Sequence, residues 1–313
     1  MSPFHPELRR AAALIPPISF GPRLTRWANT AQRWRGTPRP PAVDGVNARD
    51  EFIKGTDGTS IRIRLYVPAA DRRPRPALLW IHGGGMIIGV PEQDEAQNIE
   101  LCRSLGLVIA AVDYRLSPKH PYPTPIEDCY AALAWLHSQA DELNILRNRV
   151  AVGGASAGGG LAAGLALLAL DRGEYALAFQ LLIYPMLDDR TTLRTDVDER
   201  RLRLWTTTSN RFGWTSYLGR TPGADGISEY AAPARRKALN GLPAAWIGVG
   251  TCDLFHDEAT TYARRLNGAD VPCMLEIVEG AFHGFEIAGA KTGVVRRFRQ
   301  TYMDALRHSL CDQ

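Results

Sequence analysis

Cysteine is scarce in this chain of 313 residues. The five present, Cys102, Cys129, Cys252, Cys273 and Cys311, are odd in number and far apart. No Cys-x-x-Cys pair and no zinc spacing occurs, which excludes a disulfide scaffold and a zinc module. Reduced thiols and a cytoplasmic setting are the expectation. Long hydrophobic runs are missing too, so no segment reaches the length that spans a bilayer. The first twenty residues imitate a signal peptide, with Arg9-Arg10 ahead of Ala11 to Ile15. Pro16-Pro17 cut the apolar part short, and a small amphipathic helix over Pro6 to Leu14 fits better. A phosphate-binding glycine loop is not supported, because no Gly-Lys-Ser/Thr and no Gly-x-Gly-x-x-Gly is present. Charge of one sign does not dominate: 37 Lys and Arg face 33 Asp and Glu, a net charge of +4. The basic residues are mostly arginine and spread along the chain. Nucleic-acid and membrane partners are therefore not expected. No repeat or low-complexity tract stands out.

What remains is ordinary for a globular protein, with 45% apolar and 22% charged residues and length enough for a large core. Residues 1 to about 45 combine one or two short helices with a Pro/Arg-rich connector, Arg35 to Pro41. Ser60 to Val67 alternates polar and apolar residues, as a half-exposed strand does. Asp50 to Lys54 is its expected hairpin partner through the turn Gly55-Thr56-Asp57-Gly58. Then the pattern changes. Ala77 to His82, Leu107 to Asp113, Val150 to Val152, Phe179 to Tyr184, Ala245 to Val249 and Met274 to Val278 are continuous apolar runs. Such runs mark strands covered on both faces. Helical segments separate them: Glu95 to Leu105, Pro125 to Ala140, Ala157 to Leu170, Asp257 to Gly268 and Thr292 to Ser309. The alternation predicts an α/β fold with a mostly parallel sheet of about eight strands flanked by helices. Leu187 to Leu218 breaks the alternation. It is charged, then aromatic, and too long for a strand-to-helix link. It reads as helices inserted over the strand ends, or as a surface excursion anchored by its aromatics.

The chemistry centres on Gly154-Ala155-Ser156-Ala157-Gly158, between an apolar strand and a small-residue helix. A Gly-x-Ser-x-Gly in that setting is the nucleophile elbow of the α/β-hydrolases. The turn is so sharp that its flanking residues must be small. A serine nucleophile needs a base, an acid that orients the base, and donors for the oxyanion. His82-Gly83-Gly84-Gly85 follows the strand Ala77 to Ile81, and its glycines let backbone N–H groups approach a ligand. With the N–H of Ala157 they would form an oxyanion hole. His82 itself reads as a brace for that loop. His283, after the strand ending at Val278, is the best-placed base. His5 and His308 are terminal, His137 lies in a helix, His120 lies among prolines, and His256 reads as a cap or surface group. Asp253, after the strand Ala245 to Val249, is the acid. Asp257 sits where a helix starts, which suggests capping. The order Ser156, Asp253, His283 is that of the α/β-hydrolases.

These motifs resemble the hormone-sensitive-lipase-like group of bacterial carboxylesterases. The resemblance runs from about residue 50 onward. It rests on His82 to Gly85, on Asp113-Tyr114-Arg115-Leu116-Ser117-Pro118-Lys119-His120-Pro121-Tyr122-Pro123, on the Ser156 elbow, on Asp253 to Glu258 and on Phe282-His283-Gly284-Phe285. It implies Ser156 as nucleophile, His283 as base then acid, Asp253 as its orienting partner, and Gly84, Gly85 and Ala157 as oxyanion donors. It also implies a cap of residues 1–45 and 187–218 over a core of residues 46–186 and 219–313. Two positions depart from the family pattern. Ala155 stands where the elbow usually carries aspartate, and Ser117-Pro118-Lys119-His120 replaces Ala-Pro-Glu-His.

The expected activity is cofactor-free and metal-free hydrolysis of short- to medium-chain carboxylic esters. Trp205, Phe212, Trp214 and Tyr217 would line an apolar pocket. Met86 is either a wall of the acyl side or a core residue. An amidase, lactam or arylformamide hydrolase would use the same triad. A non-catalytic small-molecule receptor is the alternative from another class. Family analogy adds a homodimer through Met274 to Val278.

Overall fold

The computed structural model describes residues 2–69 and 73–312. Eight strands form one sheet in the order β1-β2-β4-β3-β5-β6-β7-β8. They are β1 (Val46–Lys54), β2 (Ser60–Pro68), β3 (Arg75–Ile81), β4 (Val108–Asp113), β5 (Ile145–Ala155), β6 (Phe179–Ile183), β7 (Ala244–Cys252) and β8 (Cys273–Phe282). The hairpin β1–β2 is antiparallel at one edge, and β2 runs antiparallel to β4. Every other pairing is parallel. The helices are α1 (Arg9–Leu14), α2 (Pro22–Arg35), α3 (Glu95–Leu105), α4 (Thr124–Ser138), α5 (Ala157–Arg172), α6 (Thr207–Leu218), α7 (His256–Asn267), α8 (Phe285–Ala288) and α9 (Gly293–Leu310).

The chain steps from β3 to β4 in one direction and from β4 to β5 in the other. Right-handed crossovers therefore place α3 and α4 on opposite faces. The α5 helix joins α4, and α9 joins α3. The run Ala77 to Ile81 in β3 is fully buried, as are Val108 to Val112 in β4. On α9, Val294, Val295, Phe298, Tyr302, Leu306 and Leu310 recur at helical spacing and are buried. Trp246 of β7 meets the rings of Phe298 and Tyr302 at 5.2 and 5.7 Å.

Two expectations need correction. Strand β2 is not half-exposed: Ile61 to Tyr66 are all buried, Arg62 and Arg64 among them. The segment Pro91 to Leu105 covers its polar face and brings carboxylates with it. Arg62 pairs with Asp113 at 2.9 Å. Arg64 pairs with Glu92 and Glu95 at 3.0 Å each and, from β1, with Asp50. Buried guanidinium groups persist because each is neutralised and hydrogen-bonded. The insertion after β6 is also less helical than expected. Its charged part forms 3-10 turns at Asp189–Leu193 and Glu199–Arg201, and only its aromatic part forms a helix, α6. Local pairs such as Asp188 with Arg190, and Asp198 with Arg200, tie the backbone into turns instead.

Candidate active site

Strands β3, β5, β7 and β8 deliver their following loops to one edge of the parallel sheet, where α/β folds gather functional groups. Ser156 lies between β5 and α5 with φ 58° and ψ −120°. Few non-glycine residues tolerate that conformation. Its N–H donates to Ile183 O at 2.9 Å, and its carbonyl accepts from Gly160 N and Met186 N at 3.0 Å each. The close fit explains the glycines around it. A Cβ on Gly154 would lie 2.5 Å from the Ile81 carbonyl oxygen, and one on Gly158 would overlap that same oxygen.

His283 follows β8 and bonds at both ring nitrogens. Its Nδ1 is 2.8 Å from Asp253 Oδ2, and its Nε2 is 2.9 Å from Ser156 Oγ. A carboxylate only accepts, so Nδ1–H donates to Asp253 and Nε2 is left to accept the Ser156 hydroxyl proton. The other oxygen of Asp253 accepts from Phe255 N at 2.9 Å. All three side chains are buried, with exposures of 6% for Ser156, 6% for Asp253 and 7% for His283. Asp257 does not cap α7. It bonds His256 Nδ1 at 2.9 Å and Arg194 at 2.7 Å.

The loop after β3 is built by backbone. Gly84 has φ 117° and Gly85 φ 62°. A Cβ on Gly84 would overlap the Ile88 carbonyl, and one on Gly85 would overlap the indole of Trp205. Among the described residues, no carbonyl or side chain accepts from the N–H of Gly84 or Gly85. Ala157 is the first residue of α5, where an N–H has no carbonyl four residues back within the helix. His82 braces the loop as expected: Nδ1 donates to Gly83 O at 2.8 Å and the ring stacks on Tyr114 at 4.2 Å. Burial lowers its pKa to about 4, so the ring is neutral. Tyr114 OH donates to His82 O at 3.0 Å, and Ser117 N donates to Met86 O at 2.8 Å. The tract Asp113 to His120 thus supports this loop.

Trp205 and Gly213 touch the same loop, Trp205 over Gly85 and Gly213 beside the Gly85 carbonyl. Phe212 is half-buried, while Met86, Trp214 and Tyr217 are completely buried. Tyr217 packs on Tyr122 at 5.9 Å and on Trp214 at 6.2 Å. Residues 1–45 meet the insertion directly. Phe20 N donates to Ser209 Oγ at 2.8 Å, Arg203 Nε donates to Ala12 O at 2.7 Å, and the rings of Phe20 and Trp205 lie 5.9 Å apart. A depression of about 380 Å³ lies between the insertion and α7. It is lined by Asp253 but by neither Ser156 nor His283.

Sequence reasoning missed four residues here. Tyr184 and Phe255 hold the His283 ring edgewise at 4.7 and 5.2 Å. Tyr184 OH donates to the buried Glu286 at 3.0 Å. Glu258, also buried, accepts from Leu187 N at 2.6 Å, from Asp188 N at 3.3 Å and from Thr191, and so pins the start of the insertion to α7. Burial holds the carboxyls of Glu258 and Glu286 above the usual range. Tyr184 was legible only as the end of a strand, and Phe255 and Glu258 only as members of the stretch Asp253 to Glu258.

Comparison with known proteins finds relatives of this chain. Residues 78–287 match a family model described as the alpha/beta hydrolase fold. The chain is 34% identical over 264 residues to carboxylesterase NlhH of Mycobacterium tuberculosis, covering 81% of this chain and 80% of that one. It is 35% identical over 245 residues to carboxylic ester hydrolase LipN of the same organism, covering 77% of this chain and 64% of LipN. Among solved structures, a bacterial heroin esterase superposes with TM-score 0.89 at 38% identity, over 98% of both chains. Esterase LipW of Mycobacterium marinum gives 0.85 at 32% identity, over 99% of this chain and 96% of that one.

Proposed function

The chain belongs to the hormone-sensitive-lipase-like family of the α/β-hydrolase fold, and from that premise we propose that it is a serine hydrolase of carboxylic esters working through an acyl-enzyme on Ser156. The observation that carries this reading is the unbroken relay from Ser156 Oγ through His283 to Asp253, with both bonds under 3 Å. As Ser156 Oγ attacks the ester carbonyl, its proton passes to His283 Nε2. The imidazolium is stabilised by Asp253, then gives that proton to the departing alkoxide. Water enters, loses a proton to His283 and releases the acid. The N–H groups of Gly84, Gly85 and Ala157 receive the oxyanion; one such donor is worth on the order of 10²–10³ in rate.

Residues 1–45 and 187–218 act as the cap over a core of residues 46–186 and 219–313. The hydrogen bonds between those two segments support this division. Short to medium acyl chains fit a site whose roof, Trp205, lies directly on the oxyanion loop. Strand β8 ends the sheet and exposes Met274, Leu275 and Ile277. A second copy pairing along it accounts for that apolar edge; a monomer in sedimentation equilibrium would reject this pairing.

The test of the reaction compares wild type with Ser156→Ala on p-nitrophenyl acetate, butyrate and octanoate, together with labelling by a fluorophosphonate. Wild type is expected to take one label on Ser156 and to favour the shorter esters. Equal turnover by both proteins removes Ser156 from the mechanism.

A further inference from the structure

The even spread of arginine along the whole chain hides one local concentration. Between Leu8 and Val43 there are seven arginines, Arg9, Arg10, Arg23, Arg26, Arg33, Arg35 and Arg39, and no acidic residue. The rest of the chain holds 30 basic and 33 acidic residues, so the positive net charge comes from this stretch alone. Its main element is α2. The inner side of that helix is fixed to the molecule: Thr25 is buried, and Asn29 Nδ2 donates to Ile87 O in the oxyanion loop at 2.9 Å. The outer side carries Arg23, Arg26, Trp27, Thr30 and Trp34, all exposed. Their spacing of three and four residues puts them on one stripe. Trp27 is 68% and Trp34 87% exposed, among the most exposed large apolar side chains of the protein. Among the described residues, neither Arg23 nor Arg26 has an ion-pair partner, although arginines elsewhere are paired repeatedly.

We propose that the outer face of α2 docks on an anionic lipid bilayer. Unneutralised arginines are complementary to lipid phosphates. Indole rings, apolar with one N–H donor, favour the headgroup level of a bilayer. A basic helix with tryptophan on its exposed stripe combines both attractions. A nucleic-acid duplex would use the arginines but would leave two indoles in water. No helix among the described residues is long and apolar enough to cross a membrane, so the contact is peripheral. Because Asn29 ties α2 to the oxyanion loop at Ile87 O, docking would bring the candidate active site close to the lipid surface.

The experiment is co-sedimentation with vesicles of phosphatidylglycerol and phosphatidylcholine in equal parts, and with phosphatidylcholine alone. Wild type is expected to bind the anionic vesicles, to release from them at high salt, and to leave the zwitterionic ones unbound. Its tryptophan emission should shift to the blue on binding. The pair Arg23→Gln and Arg26→Gln should weaken partitioning roughly tenfold or more. The pair Trp27→Ser and Trp34→Ser should bind less tightly and lose the blue shift. Both variants should keep wild-type circular dichroism and turnover of p-nitrophenyl acetate; where the tryptophan pair disturbs the fold, Trp34→Ser alone replaces it. Equal binding to both vesicle types, or binding indifferent to the arginine pair, overturns docking on lipid. So does retention by a mixed-sequence DNA duplex at lower protein concentration than by the vesicles. Vesicle binding does not depend on ester hydrolysis, so a Ser156→Ala protein that still sediments separates the two questions.

Discussion

Ser156 is held at φ 58° and ψ −120°, and replacing it by glycine should make the protein more stable than replacing it by alanine. Both variants lose the hydroxyl and its bond to His283. They differ in one methyl group. Alanine keeps a Cβ in a sparsely populated backbone region, which costs roughly 1–3 kcal/mol. Glycine removes that strain but gives the unfolded chain more freedom, a loss of roughly 0.4–1 kcal/mol. The strain is the larger quantity, so Ser156→Gly should exceed Ser156→Ala by about 1 kcal/mol. The conformation cannot relax away in the alanine variant. Three backbone bonds, to Ile183 O and from Gly160 N and Met186 N, fix the turn from both sides. In thermal unfolding the difference should appear as roughly 2 °C, and in urea as a higher midpoint at unchanged slope. An alanine variant as stable as the glycine variant, or more stable, would refute the claim that the elbow stores strain.

The two glycines of the oxyanion loop should respond differently to a methyl group. Gly84→Ala places its Cβ on the Ile88 backbone carbonyl at φ 117°, so kcat/KM should fall on the order of 10²–10³. Gly85→Ala meets the Trp205 side chain first, at φ 62°, and Trp205→Ala in the same protein should recover part of the loss; Gly84→Ala within tenfold of wild type would contradict the assignment. His82 gives a pH signature, because burial holds it neutral down to about pH 4, with Arg62 also opposing its charge and Glu92 favouring it. The unfolded chain protonates this histidine at about 6.5, so stability is whole above that pH and is lost as pH falls from there toward 4, by up to about 3 kcal/mol. Urea midpoints of wild type and His82→Asn between pH 7.5 and 4.5 should diverge in slope, and parallel curves would exclude the effect.

The parallel strands, and the three residues that the structure brings into one hydrogen-bonded chain, were legible because each is a local signal. Ala77 to Ile81 is apolar without a break, and Ser156, Asp253 and His283 each follow such a run. Arg64 was misread for a complementary reason. Alternation in Ser60 to Val67 states correctly that arginines share one face, but it is silent on what covers that face. Glu92 and Glu95 come from a segment some thirty residues away. Glu258 was invisible as an anchor on the same grounds, since its partners Leu187 and Asp188 lie about seventy residues earlier. Asp188, Arg190, Asp198 and Arg200 explain the overcounted helix. Their charges suit a solvated helix face, yet each aspartate accepts from the backbone N–H of the arginine two residues later and closes a turn.

Ala155, the departure from the family elbow, is explained by the same backbone packing. Its carbonyl oxygen lies 2.9 Å from where a Cβ on Gly83 would sit. Its strand position is paired with Ile183 of β6. The end of β5 therefore constrains the oxyanion loop through main-chain atoms, which alanine and aspartate share. The neighbouring contacts are of the same kind: Gly154 and Gly158 against Ile81 O, Tyr114 OH on His82 O and Ser117 N on Met86 O. A site assembled this way tolerates a changed side chain at residue 155 while remaining intolerant of a methyl group on the glycines that face it. The position of Ser156 relative to Gly84 and Gly85 is thus a property of four strand ends in contact, set by main-chain atoms.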